Sequence, residues 1–244
     1  MAEFDLGTLI RDANPAGKRE FVGNGDIKDT YSFRLGNDSN INIGLTNMSA
    51  NADVRLFRDF NGNGVRDIND SEIAASTRFG NQPDSINVSS GLTNVDAGSY
   101  LIEVDRVGTV STQYDLRVST NAFGKPSNLV TAETEVGSLT SSRTFNEAVL
   151  NSDTSDTYHF AVSSSRNFRF NLSGLNSSSD LNIRLINDRN NDSVIDASEV
   201  IVSSTAAGNR AESITQFLTP GSTYYLQVYQ HSGGSSYNLN MAPV

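Results

Sequence analysis

The chain repeats itself, and that constrains its fold more than any other feature. Asp26-Ile-Lys-Asp29-Thr-Tyr31-Ser-Phe33 returns 127 residues later as Asp153-Thr-Ser-Asp156-Thr-Tyr158-His-Phe160. Gly7-Thr-Leu9 returns as Gly137-Ser-Leu139, and Gly98-Ser-Tyr100-Leu-Ile102-Glu-Val104 returns as Ser222-Thr-Tyr224-Tyr-Leu226-Gln-Val228. Tyr114-Asp-Leu116-Arg-Val118 closes the first copy as Tyr237-Asn-Leu239-Asn-Met241 closes the second. Landmarks met twice in one order mean that whatever one half folds into, the other does too. The reading is one domain over residues 1–120, a linker over 121–135 and a second domain over 136–244. Each copy is close to the commonest domain size. Asn121-Ala-Phe-Gly124-Lys-Pro126-Ser-Asn128 has the Pro/Gly/Asn composition of a connector.

Within a copy the apolar period is two. Tyr31-Ser-Phe33-Arg-Leu35, Ile41-Asn-Ile43-Gly-Leu45 and Phe168-Arg-Phe170-Asn-Leu172 each put every second side chain on one face. That buries one face of a strand and wets the other, as antiparallel sheets require. Clusters of Gly, Asn, Asp and Ser at intervals of about 8–12 residues supply the turns. No stretch of helical period interrupts them. The expected class is all-β: two tandem antiparallel β-sandwiches.

Between two strand-like runs in each copy lies an oxygen-rich loop. Asp188-Arg-Asn190-Asn-Asp192-Ser-Val194-Ile-Asp196-Ala-Ser-Glu199 carries side-chain oxygens at positions 1, 3, 5, 9 and 12, and Val194 at position 7 can offer its carbonyl. A hard cation such as Ca²⁺ takes six to eight oxygens, and this spacing supplies them. The first copy has Asp59, Asn61, Asn63, Val65, Asp67 and Asp70 at the same positions, with Gly64 at the sharp sixth one. Glu72 becomes the twelfth-position ligand instead of Asp70 if that loop carries a two-residue insertion. Ser193 replaces the sixth-position glycine in the second loop, which predicts a strained turn. Amphipathic helices are missing on both sides, so these read as calcium loops joining strands, suited to stabilising a fold. The second loop carries more charge and is expected to bind more tightly. An ordinary hairpin explains such residues too, because Asx-turns favour them. The pairs Asp26/Asp29 and Asp153/Asp156 read either as a second metal site in each copy or as turn caps before a strand.

Several function classes lose support. A net charge of −10 disfavours nucleic acid and anionic membranes as partners. The 19 % charged content and regular apolar spacing argue against disorder, and cysteine is absent. Met1-Ala-Glu-Phe-Asp5 does not read as a signal peptide, and no apolar run reaches the length of a membrane span. The two histidines, His159 and His231, fall at a polar strand position and in a Gly/Ser turn, and no Gly-x-Ser-x-Gly elbow exists. Catalysis is not expected. Tyr225 and Tyr229 are the candidate ligand-binding aromatics, since tyrosine offers area and a hydroxyl at low entropic cost.

The ordered motifs resemble the bacterial pre-peptidase C-terminal domain family: Gly-[Ser/Thr]-Leu, then Asp-x-x-Asp-x-Tyr-x-Phe, then Gly-x-Tyr-x-x-x-Val before Tyr-x-Leu. The resemblance spans both copies and is also to the collagen-binding domains of bacterial collagenases. It implies a jelly-roll-like sandwich, usually calcium-binding, appended to secreted peptidases and not itself catalytic. The twelve-residue loops, similar to those of EF-hands and dockerins, are an addition to that pattern. The expected function is a calcium-binding module of a secreted or cell-surface protein that attaches or spaces its neighbours. Its partners would be an extracellular polymer, a matrix protein or an adjacent peptidase domain. The alternatives are a carbohydrate- or collagen-type polymer-binding module and a segment that assists a protease.

Overall fold

The computed structural model describes residues 3–244, which contain strands and turns and no helix. They form two compact units that meet at Phe123 and Gly124. The first unit holds β1 (Phe4–Leu9), β2 (Ala16–Val22), β3 (Lys28–Leu35), β4 (Asn40–Thr46), β5 (Ala52–Asp59), β6 (Ser71–Ser76), β7 (Asp84–Val88), β8 (Gly98–Arg106) and β9 (Thr112–Asn121). The second holds β10 (Thr134–Ser138), β11 (Arg143–Val149), β12 (Ser155–Ala161), β13 (Arg166–Ser173), β14 (Asp180–Asn187), β15 (Val200–Ser204), β16 (Glu212–Leu218), β17 (Tyr224–Ser232) and β18 (Ser235–Pro243).

Each unit is a sandwich of a five-stranded and a four-stranded sheet. The orders are β1-β3-β8-β5-β6 and β2-β9-β4-β7 in the first, and β10-β12-β17-β14-β15 and β11-β18-β13-β16 in the second. Adding nine to each label of the first unit gives the second, so the sequence repeat is a repeat of topology. The apolar phase of each strand meets its counterpart from the facing sheet. Tyr31, Phe33, Ile43, Leu56, Ile102 and Leu116 are buried in one core, and Tyr158, Phe160, Phe170, Leu185, Leu226 and Leu239 in the other.

The sheets depart from the all-antiparallel expectation at one edge. β1 runs parallel to β3, and β10 parallel to β12. The chain leaves each edge strand, crosses to the other sheet to form β2 or β11, and returns, and such a crossover connects parallel strands. Both edge strands shift register around a glycine, Gly7 at φ +71° and Gly137 at φ +72°. A bulge of this kind needs a left-handed residue, which explains the Gly-[Ser/Thr]-Leu motif.

Residues 121–135 are not a bare connector. Asn121 ends β9, and Thr134 and Glu135 open β10. Between them Leu129 pairs antiparallel with Val194. The Val130 N–H donates to the Ser193 carbonyl at 3.1 Å and the Ile195 N–H to the Asn128 carbonyl at 2.8 Å. Leu129 and Val130 are buried. Beneath this strap the Arg184 guanidinium donates to Gln227 Oε1 at 2.9 Å and to the Ser127 carbonyl, while Gln227 Nε2 reaches the Leu129 carbonyl at 3.3 Å. The strap therefore covers the outer face of the second unit's five-stranded sheet.

Candidate functional site

The two acidic loops fold alike. Each opens at the end of the central strand β5 or β14 and returns along the edge strand β6 or β15. In the first, Asp59 is buried and accepts the N–H groups of Gly62 at 2.7 Å and Gly64 at 3.0 Å. Asn61 and Asn63 each turn their amide NH₂ onto Asp67 Oδ2 at 3.0 Å, so three alternate side chains converge. Those hydrogen bonds, together with the Asn69 N–H, hold the Asp67 carboxyl below the usual range, the backbone contact being the largest cause. In the second loop Glu199 is buried and accepts from the Arg189 N–H at 2.8 Å and the Asp196 N–H at 3.1 Å. Asp188 is buried and accepts the Ser193 N–H at 3.2 Å, and burial pushes its carboxyl up.

The fourth and sixth positions of both loops are left-handed. Gly62 and Gly64 stand at φ +64° and +66°, Asn191 and Ser193 at +56° and +63°. Ser193 is strained as its place in the pattern predicts. The fourth position was legible in Gly62 and Asn191 as well, since both residue types tolerate that region.

At the twelfth position the structure decides between Asp70 and Glu72. Asp70 accepts the Asp67 N–H at 2.7 Å, as Glu199 accepts the Asp196 N–H. Glu72 lies on β6 opposite Phe57, the place that Val200 holds opposite Ile186, and its carboxylate is 3.1 Å from Arg55, so it is not the equivalent of Glu199. Each loop holds one buried carboxylate oxygen without a hydrogen-bond partner, Asp70 Oδ1 and Asp188 Oδ1, as Asp53, Asp84 and Asp180 do outside the loops. A buried, unpaired carboxylate oxygen is costly unless a cation or donor meets it, so the donor sets of both loops fit a hard cation.

The aspartate pairs at the start of β3 and β12 each gain a third carboxylate. Glu3, Asp26 and Asp29 bring one oxygen each within 4.8 Å of one another, and so do Glu133, Asp153 and Asp156. Glu3 and Glu133 arrive by the same device. Each exchanges hydrogen bonds with β3 or β12, its N–H donating to Thr30 or Thr157 O at 2.9 Å and its carboxylate accepting the N–H of that residue. The sequence carried a signal for both, Glu3-x-x-x-Gly7 and Glu133-x-x-x-Gly137, at the foot of the bulged edge strand. Behind each cluster lies a buried tyrosine relay. Tyr114 donates to Asp29 and pairs with Tyr31 at 2.6 Å, while Tyr237 donates to Asp156 and pairs with Tyr158 at 2.7 Å. Burial pushes the Asp29 carboxyl up to about 6, against the hydrogen bond from Tyr114 and reinforced by Asp26 and Glu3. Burial also raises Asp153 and Asp156, with the charge of Asp156 adding to Asp153. Carboxylates so destabilised as anions are poised to bind either protons or a cation.

The tyrosine patch is corrected. Tyr229 is 7 % exposed, with the Arg184 guanidinium 6.0 Å from its ring centre, because the strap region occupies that face. Tyr225 is half-buried against His159, at a ring separation of 4.9 Å. The pair forms no open ligand surface. His159 Nδ1 is 2.5 Å from Glu135, and His231 Nδ1 is 3.1 Å from the Gly124 carbonyl, so each histidine has a structural partner of its own.

Residues 154–230, inside the second unit, match the bacterial pre-peptidase C-terminal domain. No curated protein matches the chain. Among solved structures, the pre-peptidase C-terminal domain of collagenase from Bacillus anthracis is 22 % identical, covering 44 % of this chain and 92 % of its own, with a TM-score of 0.36. PliG of Aeromonas hydrophila, a periplasmic inhibitor of g-type lysozyme, is 16 % identical over 46 % of this chain and 96 % of its own, with a TM-score of 0.31. At these scores the two structures say nothing about ligand or activity here.

Proposed function

We propose that this chain is a non-catalytic pair of calcium-stabilised β-sandwiches from a secreted or cell-surface protein, serving to attach or space neighbouring domains. The observation that carries the cation reading is the recurrence of a three-carboxylate cluster at equivalent places in both units. Three acids so close, with burial disfavouring the charged forms of Asp29, Asp153 and Asp156, are an arrangement that a divalent cation relieves. The twin loops support the same reading through their orphaned aspartate oxygens. Oxygen-only donors favour Ca²⁺ over transition metals, which prefer nitrogen or sulfur.

In this reading the cation ties distant parts of a unit together. Glu3 or Glu133 lies ahead of the edge strand, the aspartates lie at the start of the next strand of that sheet, and the loops bridge a central and an edge strand. At free calcium about a hundredfold above the dissociation constant, each site adds roughly 2.7 kcal/mol of stability. The match over residues 154–230 favours an accessory role beside a peptidase domain or at an extracellular polymer or matrix protein.

Calorimetric titration of chelator-stripped protein tests the proposal, with four Ca²⁺ per chain expected. A melting temperature unchanged by chelator, together with no binding heat, would remove calcium from the account and leave the sandwiches standing.

A further inference from the structure

The outer face of the first unit's five-stranded sheet carries a groove of about 500 Å³ between the bulge of β1 and the first acidic loop. Asp5, Ser32, Arg34, Asn63 and Ser99 line it, over a floor that includes Tyr100. Its volume is in the range of small-molecule sites. Arg34 is exposed, and its guanidinium makes no hydrogen bond or ion pair among the described residues. Asp5 accepts at Oδ1 from the Gly7 N–H at 2.8 Å and from the Ser32 hydroxyl at 3.4 Å, which leaves Oδ2 to accept from a ligand.

The second unit shows the same place filled. The strand pairing that sets Asp5 opposite Ser32 sets Glu135 opposite His159. There the two side chains bond to each other and the Tyr225 ring lies tilted against the imidazole. Ala161 stands where the first unit has Arg34, one residue past Phe160 as Arg34 is past Phe33. Two units of one topology thus differ at this point, one closed by its own side chains and one open with an unused guanidinium.

The donor and acceptor balance names the ligand class. Arg34 offers several N–H donors and Ser32 and Ser99 offer hydroxyls, while Asp5 is an acceptor. Asp59, also in the lining, belongs to the proposed calcium loop, so the charge that faces a ligand there is that of Asp5. An anion held by Arg34 would also face the Asp5 carboxylate across the groove, so it gains little there. An uncharged ligand with adjacent hydroxyls uses both functions. We propose that this groove binds a neutral saccharide, with Arg34 donating to one hydroxyl and Asp5 accepting from its neighbour. This rests on the attachment reading and gives it a ligand of defined chemistry, and Arg34 and Asp5 themselves lie outside the proposed cation sites.

The test is amide chemical-shift mapping of the full chain, in calcium buffer, with cellotriose, maltotriose, triacetylchitotriose and, as the anionic comparison, glucuronate. The expected result is perturbation at Ser32, Arg34, Gly62 and Ser99 by at least one neutral trisaccharide. Arg34→Met and Asp5→Asn should each weaken it about tenfold or more, because each leaves a hydroxyl unpaired or removes a charged partner. Arg169→Met, on the second unit, should leave it unchanged. The proposal is overturned by the absence of shifts with all three neutral sugars, by equal binding to the Arg34→Met protein, or by tighter binding of glucuronate. Failure of the calcium reading shows in melting and titration instead, so the two outcomes are separable.

Discussion

Leu129 pairs with Val194 as a single antiparallel bridge, and this joins the chain entering the second unit to its acidic loop. The bridge exists because Arg184 and Gln227, on the outer face of β14 and β17, present donors to the strap's carbonyls. Arg184→Ala should therefore cost about 2–4 kcal/mol, since it strips the partners of a buried carbonyl and of the Gln227 side chain. Hydrogen exchange checks the mechanism. The Val130 and Ile195 amides, protected by the bridge, should lose protection together in this variant and not in Arg169→Ala.

The second carboxylate cluster predicts opposite effects of one substitution in two buffers. Asp153→Asn removes a charge that burial and Asp156 both disfavour. In chelator the variant should melt higher than the wild type. In saturating Ca²⁺ it should melt lower and bind one cation fewer, as differential calorimetry and titration would report.

Acidity should act on the stripped protein in a definite direction. Asp29, Asp153 and Asp156 have folded-state values raised above the ordinary value near 3.9. The folded chain then holds more protons than the unfolded chain from about pH 4 upward through neutrality. Stability therefore falls as pH rises through that window. Melts in chelator should drop between pH 5 and pH 8 by this linkage, and Ca²⁺ should flatten the profile because it favours the ionised carboxylates. A chelated protein that becomes steadily more stable toward pH 8 would contradict the assignment.

The first loop separates two neighbouring acids. Asp70→Ala should abolish the calcium response of that loop, because Asp70 closes it against the Asp67 N–H. Glu72→Gln should leave the response intact and lose only a half-exposed pair with Arg55, worth at most about 1 kcal/mol. Isothermal titration of both variants distinguishes them.

Backbone strain gives a prediction independent of any ion. Ser193→Gly relieves a left-handed serine and should stabilise the second unit by about 0.5–1 kcal/mol, after the entropy of the added glycine is counted. Gly64→Ala, at the corresponding position, should cost about 1–2 kcal/mol. Urea unfolding of both variants measures the pair.

Much of this protein could be read from local pattern. Alternation in Tyr31-Ser-Phe33-Arg-Leu35 shows which side chains face a core, because a strand has only two faces and one must be apolar. The loop positions from Asp59 to Asp70 and from Asp188 to Glu199 follow from spacing, since a turn of fixed length brings fixed positions inward. Repetition of landmarks made one fold serve twice. These are properties of short stretches, and the chain determined them by itself.

What remained required distant groups to meet. Glu3 and Glu133 join their clusters only because an edge strand runs parallel to a strand some 25 residues further on, and no local rule places them there. Tyr229 looked like a surface aromatic until the strap's covering of its sheet face buried it, while Asp105, at the corresponding place in the first unit, stays half-buried and paired with Lys28. The sequence alone determined two β-sandwiches with an acidic loop in each, because period and turn chemistry are local. Tertiary structure decided which acids cluster, which tyrosines are covered and which groove stays open, because those depend on contacts between segments far apart in the chain.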